Sequence, residues 1–133
     1  MYDAIEEYIC KHIDAEDPLL AELDRETHLY HLRPRMVSGH LQGSILKMFC
    51  RMVHPRRVLE LGTFTGYSAL CFAAGMDEDG EVHTIKIDDE IEDFTRSFLS
   101  RSPYGNKIKL IIGDALDIIP TLTEVYDLVF IDA

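Results

Sequence analysis

The stretch Val58-Leu59-Glu60-Leu61-Gly62-Thr63-Phe64-Thr65-Gly66-Tyr67-Ser68-Ala69-Leu70 constrains this chain more than any other. A short apolar run ends in an acid, a turn bracketed by two glycines follows, and an apolar helical pattern begins. That order predicts strand, tight loop, helix. Glycine lets main chain approach a ligand where a side chain would block it. The helix N-terminus aims free N–H groups beyond the strand, an arrangement that suits a carboxylate or a phosphate. Glu60 ends the strand on the same side. Amides that attract an anion beside a carboxylate suit a ligand carrying both charge signs, such as an amino-acid group, and Thr63, Thr65 and Ser68 surround the turn with hydroxyls. A structural turn whose glycines only relieve strain is the alternative. The spacing Gly62-x-x-x-Gly66 lacks the middle glycine of the dinucleotide fingerprint, which makes a nicotinamide dehydrogenase domain the least supported function.

The same unit recurs downstream. Strands are expected over Arg57–Leu61, Val82–Ile87, Lys107–Ile112 and Tyr126–Ile131. Between them fall a helix ending near Gly75, read as a C′ glycine, a helix over Glu90–Ser100 with Ile91, Phe94 and Phe98 inward, and a short helix near Leu116–Leu122. Alternation at this spacing means βαβ units and a parallel sheet, with ligands outside the carboxyl ends of the strands. Glu60, Ile87-Asp88, Gly113-Asp114 and Asp132 all fall on that edge.

Helices are expected to precede the sheet. Residues 3–13 place Ile5, Tyr8, Ile9 and Ile13 at helical spacing, with Asp3 and Glu6 disposed as a capping box. Asp17-Pro18 starts a second helix running to about Arg25, and Thr27–Arg35 reads as a loop. From Ser38 a stripe of Leu41, Ile45, Met48, Phe49 and Met52 predicts a helix packed on the sheet and stopped by Pro55. His28 and His31 are spaced for a metal, but no third ligand stands nearby, which favours a surface or packing role. The chain thus reads as one domain, 1–133, with helices over 1–54 and an α/β portion over 55–133.

Charge and cysteine usage narrow the partners. A net charge of −11 opposes a polyanion, and the basic pairs Arg33/Arg35 and Arg56/Arg57 are too short to compensate, so nucleic acid is excluded and a small molecule favoured. No apolar run reaches the roughly 20 residues that cross a bilayer. The N-terminus lacks the pattern of a signal peptide. Cys10, Cys50 and Cys71 are odd in number and far apart, as expected of reduced core thiols in a cytoplasmic protein.

The string Leu59–Ala69 resembles the S-adenosylmethionine loop of the cation-dependent O-methyltransferases, the family of the caffeoyl-CoA and catechol enzymes. The resemblance runs over roughly residues 34–133. It implies a Rossmann-like methyltransferase sheet, parallel, with four strands present, C-terminal strands missing, and N-terminal helices. It implies that Glu60, Gly62 and Gly66 belong to the cofactor loop, and that Tyr67 and Ser68 hold the cofactor carboxylate through main-chain N–H and hydroxyl. Met36-Val37-Ser38-Gly39-His40-Leu41-Gln42-Gly43 resembles the segment that lids the methionine part, so Met36 and Ser38 would be contacts. Gly113-Asp114-Ala115 resembles the family's Gly-Asp-Ala, whose acid lies beside the adenine amino group; helix capping is the other role open to Asp114, and the two are compatible.

At one position the chain departs from the family's pattern, and at another the match breaks off. Where the family reads Thr-Ile-Glu, with the acid on the ribose hydroxyls, this chain reads Thr84-Ile85-Lys86-Ile87-Asp88. Lysine donates and cannot accept, and its charge would face a cationic sulfonium. Asp88 is the candidate replacement, with helix capping ahead of Glu90 as the alternative. Phe130-Ile131-Asp132-Ala133 matches the start of the family's Phe-Ile-Asp-Ala-Asp-Lys, which makes Asp132 the candidate ligand for a divalent cation, Mg²⁺, Mn²⁺ or Ca²⁺, that would hold a catechol-like acceptor. The family's other metal ligands and its catalytic lysine would lie beyond Ala133, so no catalytic residue is assigned. An unpaired fourth strand invites a second chain, and a homodimer or a truncated chain is expected. The function implied is S-adenosylmethionine-dependent O-methylation of a small hydroxylated acceptor; the alternative is a non-catalytic cofactor-binding or interaction module.

Overall fold

The computed structural model describes residues 3–31 and 38–132. Helix α1, Ala4–His12, begins where Asp3 accepts the N–H groups of Ile5 and Glu6. Helix α2, Pro18–Tyr30, begins where Asp17 accepts from Leu19, with proline in its first turn. It runs five residues beyond the expected Arg25 end, into the stretch read as a loop. The cause is tertiary: Leu23 and Thr27, four apart, form its buried face, and the Thr27 hydroxyl donates to the Leu23 carbonyl at 2.6 Å.

Helix α3, Gly39–Val53, corrects the expected stripe. Its buried residues are Gly43, Leu46 and Cys50, while Ile45, Met48, Phe49 and Met52 are 38–70% exposed. Small residues win because α3 lies against helix α4, Tyr67–Gly75, at backbone distance. A Cβ at Gly75 would stand 2.5 Å from the Lys47 carbonyl oxygen, and one at Gly43 would stand 2.8 Å from Tyr67 Cε1. Gly75 is therefore a close-packing residue inside α4; the cap position falls on Met76, in extended backbone.

The sheet contains β1 (Arg57–Leu61), β2 (Glu81–Lys86), β3 (Ile108–Ile112) and β4 (Leu128–Ile131), all parallel, in the order β3-β2-β1-β4. Helix α5, Glu92–Arg101, joins β2 to β3, and a single turn of helix, α6 (Ala115–Ile118), follows β3. Helix α4 is apolar on every side and buried from Tyr67 to Ala73, as a helix central to the fold must be. One core cluster, including Val58, Phe72, Ala73 and Val82, joins it to α3 and the sheet; another, including Leu23, Leu70, Phe98 and Leu99, joins it to α2 and α5.

Candidate functional site

Strand order reverses at β1: the chain steps outward to β2 and β3, then returns to place β4 on the other side. In open parallel sheets such a switch point leaves a crevice at the carboxyl ends of the strands on either side of it, here β1 and β4. Three main-chain bonds knit that edge into one row. Gly62 N–H donates to the Ile85 carbonyl at 3.0 Å, Gly113 N–H to Lys86 at 2.8 Å, and Asp132 N–H to Leu61 at 2.9 Å. The ends of all four strands, predicted to converge, therefore do so.

The loop between β1 and α4 is held in left-handed backbone at Gly62 (φ 107°), Phe64 (φ 46°) and Gly66 (φ 97°). Glycine takes that conformation freely; phenylalanine does so only when its surroundings impose it. Gly66 N–H closes the turn on the Thr63 carbonyl at 3.0 Å, Thr95 donates to the Phe64 carbonyl at 3.1 Å, and Thr27 reaches the Thr65 hydroxyl at 3.3 Å. A Cβ at Gly66 would meet Thr95 Cγ2 at 3.3 Å and Leu99 Cδ2 at 3.4 Å, so this glycine serves the backbone sign and the approach of α5. No side chain caps α4. Its first-turn N–H groups, those of Tyr67 and Ser68 among them, lack the intrahelical partners that later residues have.

Beneath the loop lies a closed hydroxyl–carboxylate cluster. Glu60 is fully buried; its carboxylate accepts from Ser68, and from Thr84 at 2.6 Å, while Thr63 and Thr84 share a 2.5 Å bond. Strand register explains this, since Glu60 stands opposite Thr84. Burial is the main cause that raises the Glu60 carboxyl from its ordinary 4.5 to about 7; the Ser68 and Thr84 hydroxyls oppose the rise, and the Asp132 carboxylate adds to it. The sequence indicated Glu60, Thr63 and Ser68 but not Thr84, whose part depends on register. The Tyr67 side chain points away from the loop into the helices, where its hydroxyl donates to Glu16; burial, then that bond, push the phenol well above its usual range.

Asp88, Asp114 and Ala115 follow the strand ends of the same edge. Asp88 accepts from Glu90 N–H at 3.2 Å and stands 3.5 Å from the Lys86 ammonium. Asp114 caps α6, accepting from Leu116 N–H at 2.9 Å, and Ala115 is the first residue of that helix. Ser38 sits at the N-cap of α3 with no side-chain cap bond; Met36 falls outside the described residues. His28 pairs with Asp24 at 3.0 Å and His31 packs edge-on to Phe94 at 4.4 Å, so the two do not form a metal site. Two exposed apolar residues also stand here: Ile87, which the sequence already placed on this edge, 72% exposed just past β2, and Leu116, which it did not single out, 81% exposed just past Asp114. The strand ends one residue earlier than expected, at Lys86, which leaves Ile87 in the turn.

Asp132 is exposed at the end of β4, and no group of three or more potential metal-binding side chains exists among the described residues. One carboxylate does not satisfy a hard cation that takes six or more oxygens. The described residues therefore do not make a metal site. They do suit an amino-acid-bearing nucleoside: open amides for a carboxylate, a rigid loop, and polar and apolar groups in one row.

A parallel sheet with this loop at its switch point defines the class: a Rossmann-like methyltransferase fold. The chain belongs to the O-methyltransferase family, whose model matches residues 10–133. It is 34% identical to a catechol O-methyltransferase of Mycobacterium tuberculosis, over 89% of this chain and 54% of that protein. It is 30% identical to a caffeoyl-CoA O-methyltransferase of Stellaria longipes, over 89% of this chain and 51% of that protein. Among solved structures, the O-methyltransferase TomG of Streptomyces achromogenes, in complex with SAM, matches 98% of this chain and 60% of its own at a TM-score of 0.89 and 30% identity. An SAH-bound methyltransferase of Podospora anserina matches 97% of this chain and 56% of its own at a TM-score of 0.90 and 29% identity. The chain thus spans about half the length of the curated relatives it matches.

Proposed function

We propose that this chain is the cofactor-binding portion of an S-adenosylmethionine-dependent O-methyltransferase acting on a small, catechol-like hydroxylated acceptor. One observation carries the reading: an uncapped, buried helix N-terminus follows a left-handed loop at the switch point of the sheet. The N–H groups of Tyr67 and Ser68 would receive the cofactor carboxylate, and Glu60 would fix Ser68 from below. Asp114 would accept from the adenine amino group, with Ile87 and Leu116 as apolar surface for the ring. Bound there, S-adenosylmethionine would supply an electrophilic methyl group. The acceptor class is supported by the names of the relatives. Divalent-cation assistance belongs to the complete protein, where Asp132 would offer one carboxylate among several ligands. Pairing with a second copy is part of the same proposal, supported by the open edge of β4 among the described residues and the exposed apolar face of α3.

A non-catalytic cofactor-binding module is the second reading, favoured by Lys86 at the ribose position and by the lone Asp132. Calorimetric titration with S-adenosylhomocysteine tests the site: binding is expected, and no heat at millimolar ligand would overturn the reading. Methyl transfer to catechol with Mg²⁺ by the complete protein then separates enzyme from module.

A further inference from the structure

Lys86 is the residue of the crevice edge whose chemistry is least expected for the cofactor reading on which this inference rests. It is the last residue of β2 and lies two residues beyond Thr84, hence on the face that carries Glu60. A strand-end lysine ordinarily extends its ammonium into water. Here the side chain is only 10% exposed, and the ammonium is held 3.5 Å from the Asp88 carboxylate, which is 53% exposed. Asp88 is steadied in turn by the Glu90 N–H at 3.2 Å. The other acids of the row do not take this charge: Glu60 is occupied by Ser68 and Thr84, Asp114 caps α6 through the Leu116 N–H, and Asp132 belongs to β4 at the far side of β1.

We infer that Lys86 sets the charge preference of the cofactor crevice, so that it holds the neutral thioether S-adenosylhomocysteine in preference to the cationic sulfonium S-adenosylmethionine. The two ligands share every hydrogen-bonding group and differ by one methyl and one positive charge. An acid in this position would attract the sulfonium as well as accept from ribose hydroxyls. A Lys86–Asp88 pair can serve the hydroxyls, donating through one member and accepting through the other, but it brings no net charge. Its cationic member is the more buried of the two, and buried charges are the less screened. β2 lies one strand spacing, about 4.8 Å, from β1, whose loop would take the amino-acid tail. A tenfold change in affinity needs only about 1.4 kcal/mol, which the less screened, cationic member of the pair can supply from within the same crevice. Product inhibition follows.

The test is calorimetric titration of the protein and of Lys86→Met, Lys86→Glu and Asp88→Asn with each nucleoside separately. The unaltered protein should bind the thioether about tenfold more tightly than the sulfonium. Lys86→Met should move the ratio about tenfold toward the sulfonium, Lys86→Glu further, and Asp88→Asn the opposite way. Lys86→Met keeps an unbranched stem of similar length, so it reports even where Lys86→Glu fails to fold. A ratio unmoved while both ligands still bind would overturn the inference and leave the cofactor reading standing. Failure of the unaltered protein to bind either nucleoside would overturn both.

Discussion

Glu60 shows how one side chain can be legible as a residue type and illegible as a role. Its place at a strand end beside two glycines marks it as part of the loop. Only strand register, which sets Thr84 opposite, makes it the closed centre of a hydroxyl cluster rather than an open carboxylate. Its carboxyl, raised to about 7, binds a proton more tightly folded than unfolded. The stability linked to that proton is fully present below the ordinary value of 4.5 and is lost as pH climbs through about 7. A rise of this size corresponds to about 3 kcal/mol. Glu60→Gln removes the titration, so its stability relative to the unaltered protein should increase between pH 5 and pH 8. Urea melts of the ligand-free proteins at the two pH values measure this, and parallel pH profiles would refute the assignment.

Elements were read well where local signals suffice and poorly where size outranks hydrophobicity. The caps at Asp3 and Asp17, the bounds of β1 and the βα alternation follow from the chain itself. The inner face of α3 does not, because periodicity ranks residues by apolarity and so selects Ile45, Met48 and Met52. The fold instead selects Gly43, Leu46 and Cys50, since α4 comes too close for anything larger at Gly43. The buried thiols of Cys50 and Cys71, pushed up to about 11 and about 12 chiefly by burial, are packing groups of the same interface. Gly75→Ala should therefore cost about 1–3 kcal/mol, although alanine favours helices, because its Cβ would meet the Lys47 carbonyl. Chemical denaturation measures this; a neutral or stabilising effect would show that α3 and α4 have room between them.

At the scale of the whole molecule, two of the exposed apolar surfaces among the described residues bear on pairing. Val129 and Ile131, 52% and 69% exposed, lie on one face of β4, and Ile45, Phe49 and Met52 line the outside of α3. No helix among the described residues is long and apolar enough to cross a membrane. Contiguous apolar surface on a chain of net charge −11 is better covered by protein than left in water. Light scattering after size exclusion should give a mass near twice 15.2 kDa for this chain, and Met52→Glu or Ile131→Lys should return it to the monomer. A monomer at tens of micromolar would refute the pairing.

By itself the sequence determined the class of this protein. Hydrophobic period and turn chemistry act locally, and the glycine loop, the Gly-Asp-Ala turn and the acids at strand ends need no partner to be recognised. The tertiary structure decided the extension of α2 through Thr27, the inward face of α3, the burial of Glu60 under Ser68 and Thr84, and the pairing of Lys86 with Asp88. Each of these depends on which residue of another element, or of the following turn, comes within bonding distance. That is a property of strand register and helix approach, and no single segment carries it.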